Sequence, residues 1–268
     1  MPLSCDLPTP PNRFFIDESE GCYYDKFEIP KRSGGTRTVC APSPALKAEQ
    51  RRQLRYIEAM FAFKATEFNV WENFHGFIKG KSPVTAARKH IGYDVTIMMD
   101  IKDFFDNVKK TPVFDEINYY YCYTVDKEPY AAQGFVTSPM IANYYLIKPI
   151  NEIKKILSLA GFDYALTVYA DDIQISFRDV NYNELASVQN LVNVELNKTG
   201  LQINPKKTRI RWAKHGYRKI LGISVGETGI KPSRKLLRKI RAARHQNNRE
   251  SLGGLISAAQ LRTPNQRR

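Results

Sequence analysis

The spacing of apolar positions divides the chain into short strands and amphipathic helices. In residues 26–39, two β-prone runs flank Ser33-Gly34-Gly35, the signal of a hairpin. Ser43-Pro44 supplies a cap and a first-turn proline, and Leu46, Leu54, Ile57 and Phe61 follow near helical spacing. Residues 95–99 form a short apolar run ending on Asp100, which reads as a buried strand delivering a carboxylate at its end; helix-compatible text begins at Phe104. Ser138-Pro139 opens a helix bearing Ile141, Tyr145 and Ile147. The β-prone runs 165–170 and 173–177 enclose Asp171-Asp172 and so place both acids at a hairpin tip. Leu185, Val188, Val192 and Leu196 share one face of a helix over about 184–198, closed by Gly200. Short strands are expected at 201–204, 208–212 and 219–225, then a turn at 226–229 and a basic helix over about 233–245. The first twenty residues are Pro-rich and aperiodic and read as a lead-in. The order is α+β, without repeats or low-complexity segments.

Composition adds a direction. The formal net charge is +14, and between Pro205 and Arg244 fourteen Lys/Arg face a single acid, Glu227. Such asymmetry suits a polyanionic partner, most simply a nucleic-acid backbone. Cys5, Cys22, Cys40 and Cys122 are widely spaced and form no C-x-x-C pair, so reduced thiols are expected rather than a zinc site or a disulfide framework. No run of about eighteen apolar residues occurs, and the opening Met-Pro-Leu-Ser-Cys-Asp lacks a secretory pattern; a cytoplasmic chain with no membrane partner is expected.

The candidate chemistry lies in the acids. One carboxylate at a strand end, Asp100, and two adjacent ones at a hairpin tip, Asp171 and Asp172, are what a two-metal phosphoryl-transfer site requires, because hard cations take oxygen ligands. Taken alone, the same residues also fit a plain turn and a helix cap.

Their surroundings decide between these. Tyr169-Ala170-Asp171-Asp172 matches the Y-x-D-D signature of the reverse transcriptases, Met99-Asp100-Ile101-Lys102-Asp103-Phe104-Phe105 resembles the first catalytic motif of that family, and Gln133-Gly134-Phe135-Val136-Thr137-Ser138-Pro139 is similar to its Q-G-x-x-x-S-P motif. Ile29-Pro30-Lys31, Gly35-Thr36-Arg37, Pro42-Ser43-Pro44, His75-Gly76-Phe77, Asn204-Pro205-Lys206-Lys207-Thr208 and Leu221-Gly222 extend the likeness toward bacterial enzymes of the retron type and their defence-associated relatives. Ala131-Ala132, Val168, Asp106-Asn107 and Ile220-Leu221-Gly222 depart from the retron pattern, so a defence-type relative fits as well.

The resemblance implies an α+β right-hand polymerase whose palm carries an antiparallel sheet. Its expected parts are a lead-in (1–25), fingers (26–94, with part of 108–130), a palm including the primer grip (95–225) and a short basic helical thumb (226–268). Asp100, Asp171 and Asp172 would ligate two Mg2+ ions, or Mn2+ in their place. Lys207 would serve as the general acid for pyrophosphate, and Lys31 and Arg37 would grip the triphosphate, with solvated hairpin charge as the alternative for Lys31. Gln133 would line the nucleotide pocket, and Phe105 would exclude a ribose 2′-hydroxyl while Phe104 serves the core. Arg234, Arg238 and Arg241 would meet the nucleic-acid backbone. His75 and His90 read as structural histidines, and Tyr119-Tyr120-Tyr121-Cys122-Tyr123 as packing. The implied reaction is RNA-directed DNA synthesis from dNTPs in a bacterial retron or antiviral defence system. A dedicated non-coding RNA and the RNA–DNA hybrid would be its partners. Since 268 residues hold no nuclease, maturase or zinc-finger extension, a separate effector protein is a further expected partner. Template-free or ribonucleotide synthesis and an idle RNA-binding scaffold stay open as alternatives.

Overall fold

The computed structural model describes residues 12–31, 34–110, 121–246 and 248–263. The chain divides into two compact units that interleave in sequence: residues 1–65 with 103–146, and residues 66–102 with 147–268.

The first unit is built on an antiparallel sheet in the order β1 (Asn12–Asp17), β2 (Cys22–Pro30), β3 (Thr36–Pro42). Tyr24 and Cys22 point inward from β2 because they are two residues apart, and they meet Ile16, Cys40, Leu46, Tyr121, Ala132 and Phe135 in one core. Phe14 stacks on Tyr24 at 5.4 Å and Phe135 meets the same ring edge-on at 5.1 Å. Helix α1 (Pro44–Glu67) opens where the Ser43 hydroxyl accepts from the Leu46 amide, and it buries Leu46, Ile57 and Phe61. Gln50 on α1 is fully buried, and its amide donates to the Tyr121 carbonyl (2.8 Å) while accepting from the Val136 amide (3.0 Å). The one-turn helix α3 (Phe104–Asn107) and the start of α4 (Ser138–Leu159) complete the unit.

The second unit centres on a four-stranded antiparallel sheet in the order β5 (Tyr164–Tyr169), β6 (Asp172–Phe177), β4 (Val95–Asp100), β7 (Arg209–Trp212). Helices α2 (Pro83–Arg88) and α5 (Tyr182–Asn197) belong to it; α5 is capped by an Asn181–Glu184 box and buries Leu185, Val188, Val192 and Leu196. A small sheet of β8 (Arg218–Ile220), β9 (Ile223–Val225) and β10 (Ile230–Pro232) packs with α2, and α6 (Arg234–His245), capped by Ser233, packs with α7 (Arg249–Ala259).

Several expectations are corrected. The lead-in expected over 1–25 contains β1 and the start of β2: Phe14 and Ile16 turn inward while Phe15 faces out against Tyr23, so Phe14-Phe15-Ile16 is an edge strand whose alternation the apolar run conceals. The expected strand 219–225 is a hairpin, since Leu221 (φ 47°) and Gly222 (φ 82°) form a turn with both central residues left-handed. Of 201–204, only Ile203 bridges to Ile101. The expected fingers and palm limits, 26–94 and 95–225, also differ from the compact units. Residues 66–102 join the carboxylate sheet because Asn73 and His75 bond to β5 backbone, and 103–146 join the N-terminal sheet because the Cys40 amide donates to the Gln133 carbonyl.

Candidate active site

Strand register brings the acids together. Asp100 ends β4 and lies directly opposite Asp172, the first residue of β6, so the two side chains leave the same face of the sheet. Tyr169 pairs with Asp172 across the β5–β6 hairpin, which makes Ala170 and Asp171 its two-residue turn. The acids expected together at the tip are therefore divided, Asp171 in the turn and Asp172 in the strand. Ala170 takes a left-handed φ of 55°, and the Asp171 carbonyl accepts from the Ile101 amide at 2.8 Å.

The turn is buttressed from outside the hairpin. The His75 amide donates to the Val168 carbonyl (2.8 Å), laying Gly76 against the turn backbone. A Cβ on Gly76 would stand 2.6 Å from the Ala170 nitrogen, so only glycine fits. On the other side the Asn204 amide donates to the Asp100 carbonyl (2.7 Å), and the Asn204 carbonyl accepts from the amides of Lys207 and Thr208. This turn presents Lys207, whose ammonium donates to both Asp100 oxygens at 2.9 Å.

The electrostatics are uneven. Burial, then the charges of Asp171 and Asp100, push the Asp172 carboxyl up to about 7, and burial and Asp100 also raise Asp171. The hydrogen bond to Asp100 raises Lys207, so its ammonium stays protonated. Two carboxylates are thus short of positive charge. Among the described residues no three His, Cys, Asp or Glu groups are gathered as a ready cation site, and Asp100 is turned to Lys207 instead. The donor set still suits a hard divalent cation, being oxygen only, partly buried and electrostatically unsatisfied.

The residues expected on the nucleotide side all fall in the first unit. Lys31, at the end of β2, pairs with Asp103 at 3.2 Å, and Arg37 on β3 is exposed opposite Ile29. Asp103 is left-handed (φ 42°) and starts α3, on which Phe104 is buried and Phe105 half-buried. Gln133 is half-buried beside Gly134, whose φ of 110° and lack of a Cβ let the chain approach Cys40; a Cβ there would lie 2.1 Å from the Cys40 oxygen. Sequence alone assigns no role to Asp103, Gly76 or Gly134, although all three stand inside the motifs that carry the family likeness.

Arg234, Arg238 and Arg241 are exposed at i, i+4 and i+7 on α6 and, with Leu237, line a cavity of about 380 Å³. His75 and His90 are buried; His75 Nδ1 is hydrogen-bonded to Thr85, and both ring nitrogens of His90 are engaged, by Ser176 and Thr167. Tyr121, Cys122 and Tyr123 are buried, while Tyr119, Tyr120 and Cys5 lie outside the described residues; Cys22, Cys40 and Cys122 are free thiols. Among the described residues no helix is long and apolar enough to cross a membrane.

The chain is 29% identical over 279 residues to the retron Mx65 reverse transcriptase of Myxococcus xanthus, covering 91% of this chain and 62% of that protein. It is 28% identical over 285 residues to the retron Mx162 reverse transcriptase of the same organism, covering 90% and 56%. The chain thus spans about three-fifths of the length of these relatives. Among solved structures, telomerase from Candida albicans in complex with a fragment of telomeric RNA superposes with a TM-score of 0.52 at 13% identity, covering 78% of this chain and 45% of that one, a likeness of fold. The α+β architecture is that of the polymerase fold. Residues 29–225 match the family described as reverse transcriptase (RNA-dependent DNA polymerase), and the chain belongs to that family.

Proposed function

We propose that the chain is an RNA-directed DNA polymerase that adds deoxynucleotides to a 3′-hydroxyl on an RNA template. The observation that carries this reading is the direct cross-strand pairing of Asp100 with Asp172 beside the Asp171 turn, with Lys207 on Asp100. Asp100, Asp171 and Asp172 would hold two Mg2+ ions. Bound there, the cations would lower the pKa of the attacking hydroxyl and offset charge on the departing pyrophosphate.

The chain's own groups supply the remainder. The raised pKa of Lys207 keeps a proton on Nζ for transfer to the leaving pyrophosphate oxygen. Arg37 offers a forked donor for phosphate oxygens, and Lys31 a point charge oriented by Asp103. Gln133 lines the nucleotide pocket, and the half-buried ring of Phe105 takes the volume that a 2′-hydroxyl would need. Arg234, Arg238 and Arg241 track the phosphates of the RNA–DNA hybrid. In this reading the first unit supplies the fingers, the second the palm and the basic helical thumb.

The template would be a dedicated non-coding RNA of a bacterial retron or antiviral defence system, working in the cytoplasm with a separate effector protein. The retron relatives favour this setting. The test is primer extension on a defined RNA template with product sequencing, together with sequencing of nucleic acid that co-purifies with the chain. Complementary DNA products and one enriched RNA are expected. Products unrelated to the template, or a ribonucleotide preference, would replace this reading with template-free or RNA synthesis.

A further inference from the structure

The end of the four-stranded sheet opposite the carboxylates carries an aromatic and basic surface whose tyrosines have no part in the proposed reaction. Trp212 pairs with Val95, whereas Asp100 closes the other end of β4. Five residue steps along the strand, roughly 17 Å at about 3.4 Å each, separate the two ends. Trp212 packs on Tyr182 with ring centroids 5.1 Å apart, and Tyr182, the first residue of α5, is 63% exposed. The Lys214 ammonium stands 5.2 Å from the Trp212 ring centroid.

Beyond the short 3-10 turn Ala213–His215 the pattern repeats. Tyr217 is 53% exposed, with the Lys231 ammonium 4.9 Å from its ring centroid. Its ring packs over the bare Cα of Gly226, where a Cβ would come within 2.6 Å of Cε1. Arg211, Lys214, His215 and Lys219 are exposed around the two aromatic groups, and the sequence from Arg209 to Gly226 contains no acid. A cavity of about 680 Å³ opens beside Tyr217, bordered by His215, Lys219, Lys231, Arg234 and Lys235. The Trp212 indole N–H is buried and, among the described residues, has no hydrogen-bond partner.

We propose that this strip binds a single-stranded segment of RNA away from the polymerisation site. Bases would stack on Tyr182 and Tyr217, and Arg211, Lys214, Lys219 and Lys231 would neutralise the flanking phosphates. Lys231, which lies over the exposed Tyr217 ring, would shift to a flanking phosphate when a base takes its place. An acidic protein surface would satisfy the charges but leave the tyrosine rings without a role, whereas stacking plus a basic groove is how unstructured strands are held without sequence preference. This inference rests on the reading that the chain works with RNA.

The chain has two tryptophans, so Trp71→Phe leaves Trp212 as the only one. Titration with a single-stranded oligouridylate should quench Trp212 fluorescence saturably, with affinity falling as salt rises. Tyr182→Ala with Tyr217→Ala should weaken that binding about tenfold or more, while extension of a short RNA-templated primer stays within about twofold of wild type. Should Trp71→Phe not fold, the signal is read in the wild type against Trp212→Phe. Absence of quenching, or equal affinity in the tyrosine variant, overturns the proposal. So does displacement of the RNA by polyglutamate at the same affinity in wild type and variant, which would mark a charge-only protein surface. Quenching by RNA in a chain that extends no primer would instead refute the polymerase reading and leave the strip standing.

Discussion

All four histidines of the chain lie in the unit that carries the carboxylate turn, and the described cysteines, Cys22, Cys40 and Cys122, all lie in the other. The interiors differ accordingly. In the first unit, aromatic rings and thiols pack around Tyr24, and the buried Gln50 ties two loop backbones together. In the second, one face of the central sheet is apolar (Ile97, Met99, Ile173, Ile175), and the other carries a buried polar chain. There His90 bridges Ser176 and Thr167, Ser176 meets Thr96, and the fully buried Arg218 donates to Thr96 and to the His90 carbonyl. Asp100 and Asp172 stand on this same polar face, by the two-residue alternation from Thr96 and Ser176. The comparison teaches where rigidity is needed. Two like charges held side by side repel, and a buried directional network on their own face adds to the register that the apolar pattern fixes on the other.

The sharpest test of this difference removes the repulsion itself. Asp171→Asn with Asp172→Asn should reduce nucleotide incorporation by about a thousandfold or more, since several kcal/mol of charge stabilisation depend on those oxygens. The metal-free variant should melt no lower than wild type, because the amides remove both the burial of charge and the repulsion that raise the two acids. Unimpaired extension by the folded variant would end the assignment of the site. Next in size come two glycines that lie against backbone, Gly76 in one unit and Gly134 in the other. Gly76→Ala pushes on the turn backbone and should lower kcat up to about a hundredfold, the cost of a displacement near 1 Å. Gly134→Ala meets Cys40 and adds left-handed strain, so it should destabilise the first unit by about 2–5 kcal/mol and raise KM for dNTPs before it lowers kcat. The same kinetic signature from both variants would mean that the units do not divide the work in this way.

The carboxylates were legible in the sequence because their surroundings are local: an apolar run ending in an acid, a short hairpin and three motifs in order. What lay outside reach depended on contacts between distant segments. Gly76 and Gly134 occur in quoted strings, yet nothing in a string states which backbone they approach. Arg218 sits in a run of surface cations and differs from Lys219 only in facing inward with Ile220, so its burial follows from the β8–β9 hairpin that the apolar run 219–225 concealed. β1 was hidden in the same way by three consecutive apolar residues, and the β-hairpin tip was misplaced by one residue because register cannot be read from two adjacent acids.

Phe104 and Phe105 sharpen the contrast within a single turn of the first unit, their rings 5.5 Å apart. Phe105→Val should raise ribonucleotide use relative to deoxynucleotide by roughly 10–200-fold, the range in which a small volume change moves pocket selectivity. Phe104→Val removes volume from a buried site and should cost about 1–3 kcal/mol with the selectivity unchanged. Paired kcat/KM values and melting temperatures on both variants separate the roles. A wild type that already accepts both sugars equally would void the assignment of Phe105.

The smallest effect is a pH dependence of opposite sign in the two units. Burial lowers His90 to about 3 and His75 to about 4, against about 6.5 in an unfolded chain. Below about pH 6.5 the unfolded state therefore takes up protons that the native state refuses, and each histidine removes up to about 1.4 kcal/mol of stability per pH unit as the pH falls toward those values. Asp172, raised to about 7, acts in the reverse sense over the same window, because its native form binds the proton more readily than the unfolded one. The raw acid limb is then only partly cancelled, and the informative quantity is the difference between wild type and His90→Gln in denaturant unfolding from pH 7.5 to 4.5. The variant should start lower, having lost two hydrogen bonds, and the gap should close by about 1 kcal/mol per pH unit below pH 6. In the first unit the signs turn over: burial pushes Cys40 and Cys122 up to about 12, so their contribution is whole below about pH 9 and is lost as the pH rises toward 12. Cys122→Ala should flatten the alkaline limb and leave the acid limb unmoved. If His90→Gln flattens the alkaline limb instead, the two interiors are not chemically separate, and the contrast between the units fails.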